Sequence, residues 1–81
     1  MSTDEEIVFE FKKNSRECVR ASLKHYQGRR LLDLRVHYYD EQAQTWKPNS
    51  KGLSLQVNAI ENLKTAVAAL ADRIAAEAVS R

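Results

Sequence analysis

The chain is poor in the residues that build special sites. Its 81 residues hold one cysteine (Cys18), one proline (Pro48) and two glycines (Gly28 and Gly52). A lone cysteine forms no internal disulfide framework and suits a reducing, cytoplasmic setting. Together with only two histidines, His25 and His37, it falls short of a four-ligand zinc site within one chain, so no metal or cofactor is expected. Two glycines build neither a Gly-x-Gly-x-x-Gly turn nor a phosphate-cradling P-loop. No apolar run approaches the ~18 residues of a membrane span, and the start lacks the charged-then-apolar pattern of a secretory signal. A thiol–imidazole pair of Cys18 with a histidine can be drawn. Cys18 stands beside Val19 in a strand pattern, however, where a buried inert thiol is the simpler reading. A chain this small also offers little pocket, and no enzymatic activity is expected.

What is present is charge, on 30% of residues around a net of +2, and it is unevenly spread. Residues 16–57 hold eight bases against four acids, whereas residues 1–15 hold four acids against two bases. A basic centre hints at a polyanionic partner; alone it equally describes a solvated face.

Periodicity predicts one α+β domain. Residues 1–6, polar and acidic, read as a flexible terminus, and residues 7–81 as the domain. Ile7–Phe11 predicts a short strand with Ile7, Phe9 and Phe11 on one side. Val19, Ala21 and Leu23 alternate with Arg20, Ser22 and Lys24, and Gln27-Gly28 reads as a hairpin turn. Leu32, Leu34 and Val36 then alternate with Asp33, Arg35 and His37. Asp40–Thr45 reads as a loop, and Leu53–Val57 as a fourth strand, with Pro48 at an edge, bulge or turn. Residues 58–79 predict a helix capped by Asn58 and Glu61, with an apolar stripe of Ile60, Leu63, Val67, Leu70 and Ile74. The expected architecture is a four-stranded antiparallel sheet, covered by one long C-terminal helix whose end projects or finds a partner. Eight alanines between residues 58 and 79 would let a second helix approach closely, so dimerisation through Val67, Leu70 and Ile74 is expected.

Bases interleave with aromatics through the middle of the chain: Lys24, Tyr26, Arg29, Arg35, Tyr38 or Tyr39, Trp46, Lys47 and Lys51. Cations follow phosphates and rings stack on unpaired bases, so this mixture suits single-stranded nucleic acid. The plain alternatives are tyrosines at a core or rim, lysines on a solvated hairpin and Trp46 packed over the sheet end.

Val19-Arg20-Ala21-Ser22-Leu23-Lys24, Tyr26-Gln27-Gly28-Arg29 and Leu32-Asp33-Leu34-Arg35 follow one another at fixed spacing. Trp46-Lys47-Pro48, Lys51-Gly52-Leu53-Ser54-Leu55 and Leu63-Lys64 continue the series. In this order the fragments resemble the C-terminal domain of the positive-cofactor-four family, single-stranded-DNA-binding transcriptional coactivators with small bacterial and phage relatives. The resemblance implies a homodimer that grips single-stranded DNA or melted duplex; RNA is the other candidate partner, and the sequence does not choose between DNA and RNA. It puts phosphate-contacting bases at Lys24, Arg29, Arg35, Lys47 and Lys51, with stacking aromatics at Tyr26 and Tyr38. Three departures stand out: a loop one residue longer before Lys47, which shifts attention to Tyr39; Asn49-Ser50 where a basic residue is common; and Gln27 where a lysine is common. The reading from a different class is a dimeric adaptor that contacts a protein of the transcription machinery without binding nucleic acid.

Overall fold

Strands that alternate apolar and polar residues need partners for their backbone groups. In the computed structural model, which describes residues 5–79, four strands supply them to one another. β1 (Glu5–Lys12), β2 (Glu17–Tyr26), β3 (Arg29–Asp40) and β4 (Thr45–Gln56) form one antiparallel sheet in the order β1-β2-β3-β4. A 3₁₀ turn, Val57–Ala59, leads into the helix α1 (Ile60–Val79). The fold class expected from periodicity is the one observed.

The turns explain themselves chemically. Asn14 closes the β1–β2 connection, its Oδ1 accepting the backbone N–H groups of Arg16 and Glu17 at 2.9 Å each. Gln27 and Gly28 both take positive φ, 51° and 76°, which gives a two-residue hairpin the twist of its flanking strands. At the β3–β4 tip the Asp40 carboxylate accepts the N–H groups of Gln42 and Ala43, and Gln44 turns the chain at φ 55°.

Four expectations are corrected. Glu5 and Glu6, read as part of a flexible terminus, open β1, while residues 1–4 lie outside the described residues. Ile7, Phe9 and Phe11 do not share a side. The β1–β2 register shifts between Ile7, opposite Ser22, and Phe9, opposite Ala21, so Val8 is an extra residue in a bulge and the alternation changes phase there. The fourth strand begins at Thr45 and carries Pro48 within it, as an edge strand of the sheet allows. The helix begins at Ile60, with Asn58 inside the 3₁₀ turn and not at the cap.

The sheet has two unlike faces. Val19, Ala21 and Leu23 of β2 lie beside Leu34, Leu32 and Val36 of β3, with Leu53 and Leu55 of β4 and Phe9 and Phe11 of β1 completing an apolar face. Ile60 and Leu63 meet this face, and together with Val8, Leu23 and Leu32 they line an apolar hollow of about 220 Å³. Beyond that first turn α1 leaves its own sheet: Val67, Leu70 and Ile74 are 54%, 62% and 64% exposed. The helix is therefore not the sheet cover expected of it. Its stripe is continuous, but only its N-terminal end lies where the sheet can use it. The molecule measures 51 × 33 × 18 Å, and its radius of gyration is 15.4 Å where a compact domain of this length would have about 12 Å. It exposes 6661 Å², against roughly 5,000 Å² for a compact monomer of its mass.

Candidate nucleic-acid interface

The residues that alternate with the apolar set build the second face. Cross-strand register stacks them in rows: Lys12, Cys18, His37 and Pro48; Glu10, Arg20, Arg35 and Gly52; Ile7, Ser22, Asp33 and Ser54; Glu5, Lys24, Leu31 and Gln56. Tyr26 and Arg29 pair at the end of the β2–β3 hairpin, and Tyr39 and Trp46 pair at the opposite end of β3. Cys18 and His37 are buried cross-strand neighbours, so the thiol is buried as expected and lies opposite one of the two histidines.

An open groove of about 550 Å³ crosses this face, lined by Lys24, Tyr26, Asp33, Arg35, Pro48 and Ser54 with Leu31, Asn49 and Ser50. Its floor is ionic. The Asp33 carboxylate, 2% exposed, accepts from Arg35 Nη2 at 3.0 Å and from Arg35 Nε at 3.2 and 3.3 Å, and lies 3.8 Å from Lys24 Nζ. Arg35 Nη1 donates to the carbonyl oxygens of Asn49 at 3.1 Å and Ser50 at 3.3 Å. The hydrogen bonds to Asp33 hold the guanidinium pKa above its ordinary value, so it stays charged. The groove's wall comes from a break in the β3–β4 ladder. Pairing shifts between Arg35–Gly52 and His37–Pro48, so residues 49–51 bulge from the ladder with only Val36 opposite them. Gly52 is where the ladder resumes, and a Cβ there would sit 2.5 Å from the Leu34 carbonyl oxygen.

A second cluster adjoins the groove. The Tyr39 and Trp46 rings meet edge-on at 5.5 Å, and the Arg20 guanidinium lies 5.9 Å from the indole centroid, so Trp46 leans back across the Cys18–His37 row. Arg20 is anchored from its other side by Glu10 at 2.8 Å. Trp46 is half-buried, between the solvent-facing and core positions that its sequence context allowed.

Strand parity sorts the residues singled out from sequence. Lys24, Tyr26, Arg29, Arg35 and Trp46 come together on the polar face. Tyr38 and Lys47 pair with each other on the opposite one, because each is one residue out of phase with Tyr39 and Trp46. Lys47 binds Asp40 at 2.9 Å; that hydrogen bond raises the lysine pKa and, with the N–H groups of Ala43 and Gln42, lowers that of Asp40. Lys51 lies in the shifted segment, within electrostatic range of Glu17, whose own pKa is lowered first by its hydrogen bonds from Asn14 and Lys13. Arg20 was not singled out, although its alternation with Val19 and Ala21 is the signal that places it beside Lys24. Tyr39 is on the groove side for the same reason.

Fold and face together define a class: small ββββα domains of the transcriptional-coactivator type. The chain belongs to the family described as Transcriptional Coactivator p15 (PC4), whose sequence profile matches residues 13–66, two thirds of its length. A PC4 homologue from Burkholderia pseudomallei, in its tetragonal crystal form, superposes with a TM-score of 0.76 at 19% identity, over 84% of this chain and 98% of that one. The orthorhombic form gives 0.72 at 24% identity, over 84% and 89%. A bacteriophage T5 homologue of PC4, implicated in recombination-dependent DNA replication, gives 0.61 at 18% identity, over 98% and 84%. At these identities the solved structures speak for the fold. No curated protein sequence matches the chain. Among the described residues no helix is long and apolar enough to cross a membrane, and no group of histidine, cysteine, aspartate and glutamate is arranged to hold a metal ion.

Proposed function

We propose that the protein is a homodimeric module that grips unpaired nucleic acid through the polar face of its sheet, acting in transcription or in replication-linked DNA handling in the cytoplasm. The observation that carries this reading is an open groove lined by Lys24 and Tyr26, with Arg29 paired beside Tyr26 and the Trp46–Tyr39 pair at the other end of β3. Cations at the rim follow a phosphate chain, and exposed rings accept bases without reading their edges. The only helix among the described residues has its N-terminal turn committed to the apolar face, so a recognition helix for the major groove is not on offer. Lys51 would add a cation in the bulged segment, while Lys47 and Tyr38, on the opposite face, would contribute only to a strand that passes around the hairpin tip.

The second half of the proposal is the dimer. An apolar face of β1, β2, β3 and β4 and a projecting apolar helix, both half-exposed in one chain, are complementary surfaces, and a second copy related by a two-fold axis satisfies both. Sheet and helix then bury what a chain of this size leaves open.

The deciding experiment titrates labelled single-stranded and duplex oligonucleotides of equal length over a salt series. Single strands should bind more tightly, with affinity falling at a log–log slope of about −0.7 per phosphate neutralised. Equal binding of unmelted duplex at the same salt would reject the single-strand preference. Absence of binding to DNA and RNA alike would leave the protein-adaptor reading in its place.

A further inference from the structure

Family resemblance puts Arg35 among the phosphate-contacting bases. Its hydrogen bonds leave it little to offer. Nε and Nη2 are both turned on Asp33, and Nη1 is shared between the carbonyls of Asn49 and Ser50. Of the five N–H donors of a guanidinium, these contacts occupy four. The counter-ion is the most buried charge described, at 2% exposure, and the Arg35 side chain is itself only 19% exposed. A phosphate would have to displace a carboxylate that cannot leave.

The geometry points instead to Arg35 as a positioning residue. We infer that it clamps the displaced β4 segment to the sheet floor and thereby sets the shape of the groove, while other cations meet the phosphates. Three observations meet at this one side chain. Arg35 lies opposite Gly52, where the ladder resumes, and pairing is lost over residues 49–51 before it starts again at Pro48. The two carbonyls that Nη1 holds belong to the segment whose cross-strand pairing the shift interrupts. Asp33, on the next row, fixes the fork's orientation from the other end and also lies near Lys24, so clamp and groove rim share one counter-ion. A planar, always-charged fork suits this bridging; an ammonium on a flexible stem does not.

This inference rests on the proposal that the groove binds unpaired nucleic acid, and the test separates the two. Wild type, Arg35→Lys, Asp33→Asn and Lys24→Gln are titrated with a labelled oligo-dT over a salt series, and each is followed by amide hydrogen exchange across residues 47–53. With a clamp, Arg35→Lys keeps its charge yet weakens binding by about tenfold, the worth of one charge-assisted bond that shapes the site, and leaves the salt slope unchanged. Lys24→Gln, by contrast, flattens the slope by about 0.7. Asp33→Asn decides by sign. If Arg35 met phosphate and Asp33 merely held it back, removing the carboxylate would tighten binding; if the pair is a clamp, binding weakens. Tightening with Asp33→Asn, or wild-type affinity and exchange with Arg35→Lys, overturns the inference. Should wild type bind no oligonucleotide, the functional reading falls, and exchange alone judges the clamp: faster exchange at residues 49–52 in Arg35→Lys supports it, and unchanged exchange rejects it. If Asp33→Asn does not fold, Arg35→Lys still carries both readouts.

Discussion

The two faces of the sheet differ in how complete they are. The polar face is mostly matched within one chain: Asp33 by Arg35 and Lys24, Arg20 by Glu10, and Trp46 by Tyr39 and Arg20, with the buried Ser22 Oγ the exception among the described residues. The apolar face is not, because Phe9, Phe11, Leu53 and Leu55 stay 63%, 53%, 39% and 36% exposed and the helix that could cover them turns away after Leu63. The contrast teaches a division of labour. On the proposed function, charges and rings must hold their geometry before a ligand arrives and so are fixed locally, whereas hydrophobic area is non-directional and would wait for a second copy.

The largest effect that could break this comparison is on the helix. Leu70→Asp with Ile74→Asp puts charge where a monomer is already exposed, so a protein stable as a monomer would barely respond. If a second copy covers the stripe, four buried sites per dimer are lost, roughly 6–12 kcal/mol of apolar contact, and light scattering should report monomer or unfolded chain. A well-folded monomer for the unmodified protein would instead show that the open face stands without help.

Next comes Gly52. A Cβ 2.5 Å from a backbone oxygen forces β3 and β4 apart, and Gly52→Ala should lower stability by about 1–3 kcal/mol in a denaturant melt. Unchanged stability would mean that the β3–β4 ladder yields at this point.

The Trp46–Tyr39 pair sharpens the comparison from the polar side. Trp46→Ala should weaken single-strand affinity by about 1–3 kcal/mol with little change in melting temperature, and bound oligonucleotide should quench the indole fluorescence of the unmodified protein. A loss of stability approaching the 3–5 kcal/mol of a buried tryptophan would return the residue to the core.

The smallest effect lies at the hairpin tip, where pH tests the half-buried Asp40–Lys47 pair. Asp40 has a lowered pKa, so its contribution is full above its ordinary value of 3.8 and is lost as the solution is acidified below that. Lys47 has a raised pKa, so its contribution is full below its ordinary value of 10.5 and fades as pH rises above it. Protection of the Gln42 and Ala43 amides, taken relative to the intrinsic exchange rate at each pH, should therefore fall below pH 4 in the wild type and be low at neutral pH in Asp40→Ala. Equal exchange in both proteins at neutral pH would discount the tip interactions.

Sequence carried the sheet further than it carried the site. β2, β3 and the Gln27-Gly28 turn are legible because each side chain's parity repeats without interruption for ten residues or more. The bulges were less so: Pro48 marked an edge, bulge or turn without saying which, and Val8, one extra residue, leaves no mark on composition. That is why Ile7 changed sides. Parity alone would have separated Lys47 from Trp46 and Tyr38 from Tyr39, once the tip was known to be residues 41–44. The occupation of Arg35 was hidden for another reason. Asp33 and Arg35 visibly share a face, but the carbonyls that take Nη1 exist only because the ladder breaks opposite them. The helix shows the converse: its stripe was plain in the sequence, and nothing in the stripe says which surface it will meet.

The bulge at Val8 makes β1 editable at one place. Glu6 and Ile7 face Leu23 and Ser22, and Phe9 follows directly opposite Ala21, so excising Val8 would leave all the other pairings in this stretch where they stand. A one-residue difference at this point is thus absorbed by the bulge, and two relatives that differ by one residue there would still superpose strand on strand.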